Sequence, residues 1–453
     1  MASGIKLRHK LRLTSPQIIV IGFFIVILTG AILLTLPIAS RVGHSSGFIN
    51  ALFTATTSTC VTGLVVYDTF SRWTLFGQLV ILTLIQVGGL GFMTLATIFS
   101  LALRRKINFN ERLLISESLS QDSTQGMVRL TKHIAFGTLF FEGAGAIILA
   151  IKFIPIMGVG KGIYFGIFHS VSAFCNAGID LMGMIQPYCS LTPFSSDLVI
   201  NVTIMALIVI GGLGFAVWED VYKSSRVKDL GVHAKLVLGM TAGLIVVGSM
   251  LIFLFENNNP GTMMGKPVGE KILASFFQSV TARTAGFNTI NLAAMKNATV
   301  LVLIIWMFIG AAPGSTGGGV KVSTFGVIVL TIWSIIRNSG EVTINKKAIS
   351  NSVVYRAMLI VLMALGLVAI GTLMVVANDP VSLRQALFEV VSAFGTVGLS
   401  LGITPHLSDI SKLTLIIIMY LGRVGILTMA LSLPGKYSST KKSIRYPEAH
   451  ILL

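Results

Sequence analysis

A short glycine-centred loop recurs four times in this chain at nearly even intervals. The central glycines of successive loops are 108 to 115 residues apart. They are Gly63, Gly178, Gly286 and Gly398, in loops at residues 59–64, 174–179, 283–287 and 394–399. Four copies of one loop on one chain can surround a single axis, which is the arrangement that an ion filter requires.

The sequence around these loops is too apolar for a soluble domain. Hydrophobic residues make up 54% of the chain and charged residues 11%, whereas about a quarter of the residues in soluble domains are charged. Eight apolar runs approach or exceed the roughly 20 residues that cross a bilayer. They lie near residues 17–38, 74–102, 133–154, 197–218, 234–255, 299–335 (interrupted), 353–377 and 412–433. The first run is too long for a signal peptide and lacks a cleavage pattern, so we expect it to be retained.

Positive charge is concentrated on alternate connections between the apolar runs. The net charge is +17, and 22 of the 34 Lys and Arg residues lie in five segments. These are the N-terminus and residues 104–132, 223–235, 337–356 and 436–445. The bias predicts a multi-pass protein of the cell membrane whose termini and these three connections are cytoplasmic. It argues against a nucleic-acid partner and leaves contacts with anionic lipid or an acidic protein open.

Each glycine loop occupies the same place in a larger repeat. A spanning helix is followed by a polar turn, a short apolar stretch, the loop and a second spanning helix. The short stretches, residues 48–57, 163–174, 271–281 and 383–394, are too short to cross a bilayer and are predicted to be re-entrant. We therefore predict an all-α membrane protein of four M1–P–M2 pore units, with eight transmembrane helices and four re-entrant pore helices in a pseudo-fourfold arrangement.

The repeat also sets the expected boundaries of the pore units. They are placed at residues 16–105, 130–223, 232–338 and 350–434, between cytoplasmic segments at residues 1–15 and 435–453. The C-terminal segment folds under the pore, joins a dimer or stays partly disordered, and the sequence leaves these alternatives open.

Glycine in membrane helices also serves close packing. Packing alone does not call for a short helix before every loop, so a filter is the favoured interpretation of the four loops. Close packing is the favoured interpretation of the near-identical segments at residues 88–92 and 211–215 in the second spanning helices of the first two units.

Backbone carbonyls can replace the water around a small monovalent cation if they converge on one axis. Glycine permits the backbone turn that this requires and has no Cβ to obstruct the opening. The C-terminal end of each pore helix adds about half a negative charge. The loops contain no Asp or Glu, which argues against a divalent-cation channel, and carbonyl oxygens argue against an anion pore. The candidate filter residues, expected to bind K⁺, are Val61, Thr62, Gly63, Leu64, Asn176, Ala177, Gly178, Ile179, Thr284, Ala285, Gly286, Phe287, Thr396, Val397, Gly398 and Leu399.

Residues 310–319 contain five glycines and a proline inside a predicted spanning helix. Each glycine costs about 1 kcal/mol and proline about 3 kcal/mol relative to alanine in a helix interior, so we expect the helix to break there. Gly310 and Arg423 each lie about 12 residues, or roughly 18 Å, into their helices, so both are expected just below the filter. The candidate gate comprises Gly310, Ala311, Ala312, Pro313, Gly314, Ser315, Thr316, Gly317, Gly318, Gly319 and Arg423.

Several other polar residues at membrane depth have expected roles. A charge such as that of Arg423 costs at least about 2.5 kcal/mol at this depth, so we expect it to bind carbonyls of the broken helix. It then either positions a gate or ties the inner helices together. Lys321 is expected to face the cytoplasmic vestibule, and Glu142 and Glu389 are expected to have hydrogen-bonded structural roles. The cysteines form no paired framework, and no metal site is predicted.

These motifs resemble the Trk/Ktr/HKT potassium transporter superfamily. The resemblance rests on the four units, on loops such as Cys60–Leu64 and Ser392–Gly398, on the glycine-rich break in the third unit and on Gly422-Arg423. It runs from about Pro16 to Tyr446, and the size and short termini are similar to those of the Ktr-type membrane subunit (KtrB/KtrD-like).

The resemblance implies a gated K⁺ uptake pathway with K⁺ in the filter and stimulation by Na⁺. It also implies a homodimer and a cytosolic ring of nucleotide-binding regulatory subunits (KtrA/KtrC-like). The chain has no glycine-rich nucleotide-binding motif after a strand, so we expect no organic cofactor on this chain. A symporter that couples K⁺ to Na⁺ or H⁺ by alternating access is the alternative, although four units of one orientation favour a pore. No acid, base or metal constellation indicates an enzyme.

Overall fold

The computed structural model describes residues 14–102, 109–119, 126–339, 341–344 and 347–432. The predicted cytoplasmic segment 435–453 and all but the last two residues of segment 1–15 lie outside the described residues. The first half of the chain forms α1 (Ser15–Thr35), α2 (Phe48–Thr59), α3 (Thr69–Arg72), α4 (Leu75–Leu90), α5 (Phe92–Ala102), α6 (Phe109–Ser118), α7 (Met127–Met157), α8 (Val159–Phe174), α9 (Leu198–Gly212) and α10 (Phe215–Lys223). The second half forms α11 (Val232–Glu256), α12 (Val268–Thr281), α13 (Asn297–Phe308), α14 (Val322–Ile336), α15 (Asn351–Asn378), α16 (Leu383–Gly395), α17 (Asp409–Val424) and α18 (Ile426–Ser432).

A short helix immediately precedes each glycine loop, over the four stretches that the sequence marks as too short to span. These short helices are α2, α8, α12 and α16, with 12 to 16 residues each. Local sequence sets the start of α16, where Ser382 and Gln385 form a reciprocal cap and the Ser382 hydroxyl accepts from the Gln385 backbone amide at 3.3 Å. Their C-terminal halves are almost wholly buried, so the main hydrophobic core surrounds the loops.

Four uninterrupted helices among the described residues are long and apolar enough to cross a membrane, whereas the sequence predicts eight spans. They are α1, α7, α11 and α15, the first helix of each repeat. The second predicted span of each repeat is interrupted. In three repeats the interruption is a glycine with positive φ, namely Gly91 (80°), Gly214 (89°) and Gly425 (93°). The axes of α9 and α10 differ by 94°, and those of α17 and α18 by 93°.

These breaks correct the expectation of continuous second helices, because only the break in the third repeat is predicted. A positive φ is readily adopted only by glycine and ends an α-helix. Each breaking glycine follows another glycine by three residues, at Gly88, Gly211 and Gly422. If α9 with α10 and α17 with α18 are each counted as one bent span, the described residues contain six.

The earlier glycine of each pair confirms the predicted close packing in the first two repeats and extends it to the fourth. Gly88, Gly211 and Gly422 lie against the carbonyl oxygens at the ends of the preceding short helices. A Cβ built on them would lie 1.8 Å from Thr59 O, 1.9 Å from Phe174 O and 2.1 Å from Phe394 O, respectively. These contacts fix the second helix of each repeat against the base of its loop.

One short pair of β-strands departs from the all-helical expectation. Strands β1 (Thr343–Ile344) and β2 (Lys347–Ala348) pair antiparallel, with Thr343 opposite Ala348. They lie in the basic connection between the third and fourth repeats.

Gly211→Ala is expected to destabilise the protein by about 1–3 kcal/mol, because the new methyl group overlaps the Phe174 carbonyl. Gly239→Ala in α11 is the matched control, since a Cβ there meets nothing within 4 Å, and alanine favours the helix. Thermal unfolding of the detergent-purified proteins measures both. Equal melting temperatures of the two variants would contradict the packing contact.

Candidate ion filter and inner loop

The four glycine loops meet in a closed ring. Each central glycine faces the carbonyl oxygen of the residue that precedes the central glycine of the next loop. Measured from a Cβ built on each glycine, these distances are 2.4 Å for Gly63 to Ala177, 2.2 Å for Gly178 to Ala285, 2.5 Å for Gly286 to Val397 and 2.3 Å for Gly398 to Thr62. The ring follows the order of the repeats, and no side chain fits at its glycines without displacing a carbonyl.

The backbone takes the same shape in all four loops. The residue two positions before each glycine has a positive φ although it is not glycine: Val61 (56°), Asn176 (60°), Thr284 (72°) and Thr396 (51°). The glycines themselves have φ values from 63° to 94°. Left-handed backbone costs an ordinary residue roughly 1–2 kcal/mol. The same strain at four equivalent positions points to a functional constraint on the loop.

A hydroxyl residue near the end of each short helix holds the following loop. The four residues are Thr57, Ser172, Thr281 and Ser392. The carbonyl of each accepts from the amide just before the central glycine, at 2.7–3.0 Å. The hydroxyls of Thr57 and Ser392 accept from the glycine amides at 3.0 Å, whereas those of Ser172 and Thr281 donate to Ile179 O and Phe287 O at 2.6 Å.

Sequence reasoning missed these hydroxyl residues, although the sequence contains a signal for them. They lie six residues before the glycine in three repeats and five before it in the third, whose loop is one residue shorter. Comparing the four repeats position by position would reveal this pattern.

The side chains of the candidate filter residues are buried. Eight of these residues belong to the central hydrophobic core: Val61, Leu64, Ala177, Ile179, Ala285, Phe287, Val397 and Leu399. Thr62, Asn176, Thr284 and Thr396 are also fully buried. That the loops present backbone carbonyls to the opening stays a prediction from the sequence.

A cavity of about 730 Å³ opens on one side of the ring and is lined by all four central glycines. Two carboxylates line it, Asp180 directly after the second loop and Asp68 after the first. Asp68 accepts from the amides of Ser71 at 2.8 Å and Tyr188 at 3.1 Å. Burial, together with the nearby Asp68 carboxylate, raises the pKa of Asp180 to about 7. Both residues were missed from the sequence because they lie just beyond the loops.

The irregular chain between α13 and α14 lies on the other side of the ring. The predicted break at residues 310–319 is confirmed, because the helix ends at Phe308 and resumes at Val322. The chain contacts residues two before the ring glycines: Gly318 N donates to Thr396 Oγ1 at 2.9 Å, and a Cβ on Gly317 would lie 2.2 Å from Thr284 Oγ1.

Further contacts hold this inner loop (residues 309–321) against the second repeat. Thr316 Oγ1 donates to Phe174 O at 3.3 Å, and Ala312 N donates to Gly212 O at 3.0 Å. The loop is thus packed under the ring by three of the four repeats.

Arg423 joins the inner loop to the first repeat. Its Nη1 donates to Thr316 O, and its Nη2 donates to the carbonyls of Gly88 and Gly89, the latter at 3.1 Å. The expected carbonyl partners are therefore present. The guanidinium binds the loop and also ties α17 to the end of α4, so both alternatives that the sequence offers for Arg423 stay predictions.

The remaining polar residues have identifiable partners. Lys321 Nζ donates to Gly317 O at 2.7 Å and lines a small cavity with Arg423. Glu142 accepts from Gln86 at 3.2 Å, and Glu389 accepts from Ser400 at 3.0 Å and from Thr404. Both glutamates are hydrogen-bonded, as expected. Cys60 and Cys175 are buried and unpaired.

Comparison with known proteins identifies the family. The family described as "TrkH: Cation transport protein" matches residues 5–441. Potassium/sodium uptake protein NtpJ of Enterococcus hirae is 40% identical over 99% of both chains. Ktr system potassium uptake proteins B and D of Bacillus subtilis are 39% and 34% identical, each over 97% of both chains. The solved potassium transporter TrkH of Vibrio parahaemolyticus shares the fold, with a TM-score of 0.74 and 19% identity over 94% of this chain and 86% of that one. This chain belongs to the TrkH family of cation transport proteins.

Proposed function

We propose that this chain takes up K⁺ across the cell membrane as the pore-forming subunit of a Ktr-type system. The observation that carries the proposal is the closed ring of four backbone carbonyls and four glycines. Relatives at 34–40% identity over almost their full length are named for potassium uptake.

The four repeats act as M1–P–M2 units in this proposal. The short helices serve as pore helices, and their C-terminal ends direct negative partial charge toward the ring, which favours a cation. The second helices cross as bent or broken elements. The carbonyl oxygens of Thr62, Ala177, Ala285 and Val397 replace water around K⁺, and the carboxylates of Asp68 and Asp180 raise the cation concentration in the outer cavity.

The inner loop closes the pathway below the ring, and Arg423 holds it closed. Its contacts with Thr284, Thr396 and Phe174, close beneath the ring, support this role for the loop. Irregular backbone at membrane depth is tolerated where it lines such a cavity.

The Ktr naming of the relatives supports a multicomponent system. We propose a homodimer of this chain on a cytosolic regulatory ring, with both termini cytoplasmic as the basic connections indicate. The potassium/sodium name of one relative supports an additional role for Na⁺.

Ion flux into liposomes that contain the purified protein tests the proposal. K⁺ and Rb⁺ are expected to enter faster than Na⁺, and K⁺ entry is expected to proceed without Na⁺ or H⁺ moving in a fixed stoichiometry. Coupled movement in a fixed stoichiometry would instead identify the symporter. If no cation enters even after a regulatory ring is added, the proposal is wrong.

K⁺ uptake from low external K⁺ is expected to fall about two- to threefold as the external pH drops through about 7. Asp180 loses its negative charge in that range, and one charge about 8 Å from an ion in water is worth roughly 0.5 kcal/mol. Asp180→Asn is expected to show, at every pH, the reduced uptake that the wild-type protein shows below about pH 7. Asp197→Asn, whose carboxylate pairs with Lys152 at 2.9 Å, should keep the pH response. If Asp180→Asn keeps the pH response of the wild-type protein, Asp180 is not the group whose titration causes it.

A further inference from the structure

A polar residue recurs at one position of the four short helices, behind the ring. It lies nine residues before the central glycine in repeats one, two and four, and eight before it in the third repeat with its shorter loop. The four residues are Thr54, His169, Gln278 and Glu389, all buried. A buried polar side chain is costly unless it is hydrogen-bonded, so its partners indicate its role.

His169 binds the chain that leaves the second loop. Its Nδ1 lies 2.7 Å from Phe165 O and its Nε2 lies 3.3 Å from Leu181 N. The backbone amide can only donate, so Nε2 accepts and the neutral ring carries its proton on Nδ1. The side chain thus joins its own helix to the residue three positions after Gly178.

Glu389 binds the chain that leaves the fourth loop. Its Oε1 accepts from the hydroxyl of Ser400, two residues after Gly398, at 3.0 Å and from the hydroxyl of Thr404. Its Oε2 has no hydrogen-bond partner among the described residues. Two different side chains, an imidazole and a carboxylate, therefore bind the chain within three residues of the central glycine in two repeats. Packing of the helix alone does not require this coincidence.

In the other two repeats, the residue at this position makes no hydrogen bond to the chain that follows the loop. Thr54 is too short to reach beyond its helix, and its hydroxyl donates to Asn50 O at 2.8 Å. Gln278 is fully buried, and neither amide atom has a hydrogen-bond partner among the described residues. The residue three after Gly286 is Thr289, whose buried hydroxyl is also without a partner there.

We propose that His169 and Glu389 are positioning residues for selectivity, which fix the outer end of the second and fourth loops and so hold the ring at the size that suits K⁺. The ring carbonyls of Ala177 and Val397 lie just before the braced chain, four residues before Leu181 and three residues before Ser400. A brace at that distance restricts how far the ring can contract around the smaller Na⁺. This inference rests on the proposed K⁺ function.

The test is the ratio of K⁺ to Na⁺ flux in liposomes that contain the full-length protein. His169→Leu and Glu389→Leu are each expected to lower this ratio about tenfold. Glu389→Gln, which keeps an acceptor oxygen, should retain most of the ratio. Thr54→Val is the matched control at the equivalent position and should leave the ratio unchanged, because its hydroxyl stays within its own helix.

A role in folding alone would lower the melting temperature without changing the ratio, and that outcome overturns the proposal. If a leucine variant does not assemble, the double change Ser400→Ala and Thr404→Val removes two donors to Glu389 without altering α16. An unchanged ratio in that variant also overturns the proposal. Loss of selectivity in Thr54→Val would overturn it as well, because it would show that any change at this level disturbs the ring. If the wild-type protein shows no selective flux, the proposed function itself fails.

Discussion

Gly63→Ser is expected to lower the K⁺ preference over Na⁺ by about tenfold, the change that about 1.4 kcal/mol produces. The reason is geometric: φ is 94° at Gly63, and a Cβ would lie 2.4 Å from the Ala177 oxygen. Serine must therefore displace a ring carbonyl, and the ring loses its regular spacing. Flux of K⁺, Rb⁺ and Na⁺ into liposomes measures the effect.

Gly43→Ser separates backbone strain from disturbance of the ring. Gly43 also has a positive φ, 77°, but a Cβ there meets nothing within 4 Å. This variant is expected to keep the selectivity of the wild-type protein. If Gly63→Ser is equally selective, the loops are packing elements and not a filter.

Arg423→Ala is expected to raise the rate of K⁺ entry about tenfold or more while K⁺ remains preferred over Na⁺. The change removes three hydrogen bonds from a charged group to the inner loop and α4, and each such bond contributes about 1.5–3 kcal/mol. The loop keeps its bonds to Thr396 and Gly212, so the ring above it remains intact. Initial rates of K⁺ uptake, compared at equal protein content, measure the change.

Arg384→Ala is the matched control for that variant. Arg384 also donates to a backbone carbonyl of another segment, Met295 O at 3.2 Å, but it lies on α16 away from the inner loop. Its uptake rate is expected to match the wild type. An unaltered rate in Arg423→Ala would leave the arginine only as a tie between helices and would remove the inner loop as the gate.

The repeat architecture could be predicted from the sequence because its signals are local. The length of the apolar runs, the short stretches before Gly63 and its counterparts, and the glycines and proline of residues 310–319 each lie within one segment. Closure of the ring is different, since it joins carbonyls and glycines more than 100 residues apart. The four equivalent loops implied a common axis, but the pairing of each glycine with a particular oxygen required the structure.

The breaks at Gly91, Gly214 and Gly425 could not be predicted with the same rules. A glycine inside an apolar run is compatible with close packing and with a positive φ. Gly88 and Gly91 are three residues apart in one segment, yet the first packs within a helix and the second ends it. Only the neighbouring elements decide between the two outcomes. The braces at His169 and Glu389 were similarly hidden, because their partners lie beyond the loops and only the folded chain brings them within hydrogen-bond distance.

The position of Arg423 has a consequence for how such a protein can evolve. It is in register with Gly89 and Gly212, one residue after the packing glycine of each second helix. In an assembly of four identical subunits, an arginine at this level would appear four times around the axis and would repel both its copies and the permeating cation. Joining the four units in one polypeptide breaks this symmetry. The ring of carbonyls stays fourfold, while one arginine of the fourth repeat and one irregular loop of the third lie beneath it. In the proposed mechanism, mutations in one repeat are therefore expected to alter gating without changing the ion selectivity that all four repeats create.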